Sequence, residues 1–132
     1  MNNVIEQTIF FKDASPEELF DIILDAKKHS EILGGAAVKI TKSEGDPFSC
    51  LNGLLKGKNL MIVPNRMIVQ RWRGDVWDDD ELDSVLTLVF TSVKGGSEIY
   101  MVHSNTADEF IERWDEVYWQ PIKKYLKAAR KK

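Results

Sequence analysis

The side chains of this 132-residue chain whose types suit chemistry are His103, His29, Cys50, Gln70 and the run Asp78-Asp79-Asp80-Glu81. Histidine ordinarily titrates near neutrality, so His103 is suited to proton transfer. It shares a strand face with Ile99 and Met101, which points it inward near the strand's end, and no relay partner stands beside it. It therefore reads as a hydrogen-bonded structural residue. His29 sits in an exposed helical context and carries less weight. Cys50, the sole cysteine, can form neither an internal disulfide nor a multi-thiolate metal site, so it reads as an inert strand residue in a reducing, cytoplasmic setting. The acidic run, with Asp75 and Asp83 nearby, offers the oxygen ligands that calcium and magnesium take, yet it lacks the fixed spacing and central glycine of a calcium loop. Clustered like charges repel and stay wet, so Asp78, Asp79, Asp80 and Glu81 read as a solvated hairpin loop, with a second use, beside Trp77, as an acidic contact for a basic partner. No metal or cofactor is expected. The chain has no G-x-G-x-x-G, phosphate loop, HExxH, CxxC or Ser-His-Asp order, and no catalytic residue is assigned.

The stretch 53–77, GLLKGKNLMIVPNRMIVQRWRGDVW, holds two apolar runs hinged on Pro64-Asn65, the second ending in a tryptophan between two arginines. Strand alternation puts Ile68, Gln70 and Trp72 on one face and Met67, Val69, Arg71 and Arg73 on the other. If the tryptophan face borders the space beneath a covering helix, Trp72 is a wall and Gln70 a polar point within it. An amide facing an apolar space requires a partner from protein, water or ligand. The expected cavity lining is Ile68, Gln70, Trp72, Met101, His103, Trp114 and Tyr118.

The elements that must position these residues follow from periodicity and caps. Residues 3–12 read as a first strand. Ser15-Pro16-Glu17-Glu18 is a capping box with proline at the first helical position, so a helix starts there, and a second short piece runs from Lys27 to Leu33 and stops at Gly34-Gly35. Strands are expected at 36–42, 47–52, 54–63, 66–73, 83–92 and 97–104, joined by hairpin turns at Glu44-Gly45-Asp46, Asn52-Gly53, Pro64-Asn65 and Lys94-Gly95-Gly96. Thr106-Ala107-Asp108-Glu109 reads as another capping box. After it Phe110, Ile111, Trp114, Val117, Tyr118, Ile122, Tyr125, Leu126 and Ala129 recur in three- and four-residue steps, marking one long amphipathic helix. Its acidic first turn and basic last turns suit the helix dipole, and Pro121 should kink it. The order specifies an α+β fold of helix-grip type: a curved antiparallel sheet of about six to seven strands around the final helix, with two short helices after the first strand.

Gly57, Pro64, Ile68-Val69 running into Trp72-Arg73, and Trp77, together with Ala14-Ser15-Pro16-Glu17-Glu18-Leu19-Phe20, Ser84-Val85-Leu86-Thr87-Leu88, and Trp114, Tyr118, Trp119, Pro121 and Ile122, form an ordered set spanning nearly the whole chain. This set resembles the carboxy-terminal domain of the activator of the heat-shock-protein-90 ATPase, within the START-like (SRPBCC) superfamily. The chain departs from that pattern at Ile32-Leu33, where tryptophan is usual, and at Asp46-Pro47-Phe48, where paired glycines are usual. The resemblance implies a non-catalytic co-chaperone-like module partnered by a heat-shock-protein-90-type chaperone, without the amino-terminal domain of the eukaryotic co-chaperone. The alternatives are a carrier or sensor of a small apolar ligand and, ranked last on fold analogy alone, an enzyme like the superfamily's cyclases or dehydratases.

The totals agree with one domain over residues 1–132. A net charge of -3 argues against nucleic-acid binding, which needs a positive surface. No segment reaches the roughly 20 apolar residues of a membrane span, and the amino terminus lacks the pattern of a signal peptide. The oligomeric state is left open.

Overall fold

A computed structural model describes residues 3–130. Six strands form one antiparallel sheet in the order β1-β6-β5-β4-β3-β2. They are β1 (Asn3–Lys12), β2 (Pro47–Cys50), β3 (Leu55–Val63), β4 (Met67–Gly74), β5 (Ser84–Val93) and β6 (Gly96–Thr106). From β2 to β6 each strand pairs with its chain neighbour, and β1 closes the far edge by pairing with β6. The turns fall where their chemistry placed them: Gly45, Asn65 and Gly95 all adopt positive φ, which glycine and asparagine tolerate best.

Residues 36–42 do not form the expected strand. Their backbone touches the sheet only through the Lys39–Ser49 bridge, and the sheet is six-stranded. The segment is held instead by side chains, since Asn52 Oδ1 accepts from Ala37 N–H and Asn59 Nδ2 donates to the Thr41 and Ser43 carbonyls. Asn52 N–H also donates to the Ala37 carbonyl at 3.2 Å, so the segment is anchored at points without a ladder.

The short helices are α1 (Pro16–Leu24) and α2 (Ala26–Ile32). The Ser15 box forms as read: Glu18 N–H donates to Ser15 Oγ, and Ser15 N–H donates to the Glu18 carboxylate. Such a cap is worth about 1 kcal/mol. Residues Leu19, Phe20, Ile22, Ile23 and Leu24 of α1 are buried against the sheet, with Phe20 edge-on to Phe90 at 5.9 Å.

The carboxy-terminal helix runs as α3 (Phe110–Trp114), a π-helical turn (Asp115–Trp119) and α4 (Gln120–Arg130). Its start corrects the sequence reading. Thr106 ends β6 with its hydroxyl buried and unpartnered, and the helix opens at Glu109 with no side-chain cap. The interruption expected at Pro121 is a π turn just upstream, so the proline, which has no N–H to give, sits at the second residue of α4. The helix lies along the concave face of the curved sheet. Trp119 Nε1 donates to Gln7 Oε1 on β1, and at the far end Arg130 forks onto the Glu18 carboxylate at 2.7 and 2.8 Å. Among the described residues no helix is long and apolar enough to cross a membrane.

Candidate functional site

Two-residue alternation carries Ile68, Gln70 and Trp72 onto the inner face of β4, and Met101 and His103 onto that of β6. Trp72 is half-buried at the open end of this row and organises an aromatic cluster. Its ring stacks on Trp114 at 5.3 Å and meets His103 edge-on at 5.2 Å; Trp114 in turn stacks on Trp119 at 5.1 Å. Aromatic pairs of this kind contribute about 0.5–1.5 kcal/mol each beyond area burial. Phe48 reaches within 6.2 Å of Trp72 by crossing Gly57, where an added Cβ would lie 2.5 Å from the Phe48 ring and 1.8 Å from the Arg71 carbonyl oxygen. Only glycine fits there.

Between the end of β4, the 51–55 turn and the start of the final helix lies a cavity of about 390 Å³. Its walls are Trp72, Trp77, His103, Phe110, Trp114 and Tyr118, and its rim carries Leu54 and Val76, exposed at 59% and 85%. Among the described residues Arg113 is the one charged side chain lining it. The size falls at the small end of ligand pockets, which span roughly 300–1,000 Å³. A larger depression of about 1130 Å³ beside the start of α1 is bounded by Glu17, Glu18 and Arg66 and includes none of these aromatic groups.

Hydrogen bonding fixes the protonation of both histidines. An indole N–H can only donate, so Trp114 Nε1 donates to His103 Nδ1 at 3.1 Å, leaving His103 Nε2–H to donate to Ser84 Oγ at 3.0 Å. The histidine thus offers a proton to the serine and cannot take one from it. Burial holds its pKa down at about 4. His29, read as exposed, is buried at 4% exposure. Its Nδ1–H donates to the Ile23 carbonyl at 2.8 Å, so Nε2 accepts from the Tyr118 hydroxyl at 2.9 Å. Burial also lowers the His29 pKa, raises that of Tyr118, and pushes the Cys50 thiol, 4.0 Å from that hydroxyl, up to about 11.

Gln70 finds its partners within the protein. Its Nε2 donates to the Oδ1 of buried Asn59, and its Oε1 accepts from Trp72 Nε1 at 2.8 Å. Of the expected lining, Trp72, His103, Trp114 and Tyr118 border the cavity, whereas Ile68, Gln70 and Met101 do not and lie fully packed behind it. Trp77, expected as a partner contact, forms part of the wall. Its indole lies over Gly74, where an added Cβ would sit 2.6 Å from Nε1.

The arginines flanking Trp72 hold the acidic loop. On the outer face, Arg71 Nε pairs with Asp83 at 3.1 Å, while Arg73 donates to Asp83 and to the carbonyls of Asp78 and Glu81. Asp78, Asp79 and Asp80 are exposed and Glu81 is half-buried. Among the described residues no three His, Cys, Asp or Glu side chains converge into a metal-holding group. Sequence reasoning missed His29 and Asn59. His29 and Cys50 lie 89 and 68 positions from Tyr118, a spacing that left no local signal.

Residues 13–128 match the family model described as activator of Hsp90 ATPase homolog 1-like protein. The chain belongs to this family. It is 24% identical over 113 residues to the human activator of 90 kDa heat shock protein ATPase homolog 1, covering 83% of this chain and 33% of that protein. It therefore spans about a third of the length of that curated relative. Among solved structures, an HSP90 activator from Plasmodium falciparum matches with a TM-score of 0.82 at 24% identity, covering 93% of this chain and 95% of the other. A Rhodobacter sphaeroides protein matches with a TM-score of 0.75 at 18% identity, covering 96% and 93%. These likenesses show the helix-grip fold, and family membership supports a co-chaperone-like or ligand-binding module.

Proposed function

We propose that residues 1–132 act as one non-catalytic, cytoplasmic binding module whose partner is a heat-shock-protein-90-type chaperone. Family membership carries this reading. The structure adds a surface suited to it: exposed Leu54 and Val76 beside the exposed carboxylates of Asp78, Asp79 and Asp80, an apolar patch with an acidic border. A basic partner surface would be steered by those charges and anchored on the apolar rim. The His103 tautomer supports a module without catalysis, since the Ser84–His103 contact has its proton on the wrong side for a general base. Pull-down and chaperone ATPase assays test the proposal. Binding that raises the ATPase rate and is lost on reversing Asp78, Asp79 and Asp80 to lysine is the expected result, and no binding at tens of micromolar sinks it.

A second reading is a carrier or sensor of a small apolar ligand, favoured by the walls of the 390 Å³ cavity. Native mass spectrometry after incubation with apolar metabolites tests it. Failure to retain any of them counts against this reading.

A further inference from the structure

The polar atoms of the cavity wall divide into two sets. Trp72 Nε1, Trp114 Nε1, the Tyr118 hydroxyl and both His103 nitrogens are committed to Gln70, His103, His29, and the Trp114–Ser84 pair. The deep wall therefore offers an occupant only ring faces and carbon, because diverting any of those bonds would leave a buried partner unsatisfied. Two polar side chains on the lining have no hydrogen-bond partner among the described residues: the Arg113 guanidinium and the Trp77 indole N–H. Both are donors only. Arg113 is exposed, and Trp77 is half-buried over Gly74. An occupant that satisfies these donors carries an apolar body for the chamber and an acceptor, best an anion.

We infer that the cavity takes an amphipathic carboxylate, its apolar body among Trp72, Trp114 and Tyr118 and its carboxylate on Arg113 and the Trp77 N–H. The inference rests on the apolar-ligand reading above and adds the charge and orientation of the ligand. A guanidinium meets a carboxylate through parallel N–H donors, whereas an alcohol of the same length can use only one. A protonated amine, itself only a donor, pairs with neither group, and the exposed carboxylates of Asp78, Asp79 and Asp80 at the rim are hydrated and screened. Apolar burial supplies most of the affinity, and the exposed Arg113 supplies the choice among head groups.

The test uses decanoate, decan-1-ol and decylamine as matched probes of the 132-residue chain, followed by tryptophan fluorescence and titration calorimetry. The expected order is decanoate, then decanol, then decylamine, with decanoate ahead of decanol by about two- to fivefold, the range an exposed ion pair provides. Arg113→Gln should erase that preference while leaving decanol unchanged. Val117→Phe, which fills the chamber, should weaken all the probes while its unfolding temperature reports an intact fold. Decylamine binding as tightly as decanoate, or Arg113→Gln weakening decanol and decanoate alike, overturns the head-group assignment while the apolar-ligand reading stands. If none of the probes binds, both fail together.

Discussion

Replacing His103 with glutamine isolates the energetic consequence of burying an imidazole among aromatic rings. In the folded protein burial holds the His103 pKa at about 4 against an ordinary 6.5. The folded form keeps the ring neutral, whereas the unfolded chain takes up a proton once the pH drops below the ordinary value. Between those two pKa values the unfolded state binds more protons, so stability is fully present above the ordinary value and is lost as pH falls toward the folded one. A separation of about 2.5 units at 1.36 kcal/mol each amounts to about 3 kcal/mol. Glutamine can accept from the Trp114 N–H and donate to Ser84 Oγ, so His103→Gln keeps the network in kind; altered geometry should cost about 1–2 kcal/mol at neutral pH. The lowered pKa values of Glu18, Asp21 and His29 also make wild type acid-sensitive, but they are common to both proteins. The difference between the two stability curves is therefore the histidine's own. Urea unfolding followed by tryptophan fluorescence at several pH values should show the gap closing below pH 6.5 by about 1.4 kcal/mol per pH unit, with the variant equal or superior near pH 4. Parallel curves across this range would refute the argument that His103 is neutral and desolvated.

The Thr106 hydroxyl is buried without a partner, so Thr106→Val should raise stability by about 1 kcal/mol, read from the urea midpoint. Tyr118→Phe removes the donor to His29 Nε2 and strands a buried acceptor; a loss of about 1–3 kcal/mol is expected in the same assay. Cys50 is fully buried with its thiol pushed up to about 11, so a thiol reagent at neutral pH should label it only at the rate of unfolding.

The legible parts of this molecule were those in which a few neighbouring residues determine the answer. Ser15 and Glu18 cap a helix across three positions, and the alternation through Ile68, Gln70 and Trp72 fixes which way each points. The inward His103 followed from the same rule. What failed was local pattern overridden by distant contact. The 36–42 segment has strand-like composition, yet Asn52 and Asn59 bind its backbone from elsewhere in the chain and leave it off the ladder. Thr106 resembles a cap but is drawn into β6 by its pairing with Asn3. His29 looked solvated because its partners Ile23 and Tyr118 come from two separate elements. The separation of wall from core also lay beyond the sequence: alternation puts Gln70 and Trp72 on one face, and only the placement of Asn59 shows that the amide is already satisfied.

The π turn sets a constraint on length. Trp114, Tyr118, Ile122 and Leu126 are buried at strict four-residue intervals, and in an unbroken α-helix such a series would wind off its face by about 40° per step. The wider turn over Asp115–Trp119 takes up much of that drift and lets Trp119 stack on Trp114 five positions away. Inserting one more residue there would exceed what the wide turn can absorb and swing everything downstream by about 100°, turning Ile122 and Leu126 toward water and tearing Arg130 from Glu18. Insertions in this segment are thus coupled to the docking of the whole carboxy-terminal end, and added chain length is tolerable only where the loops absorb it.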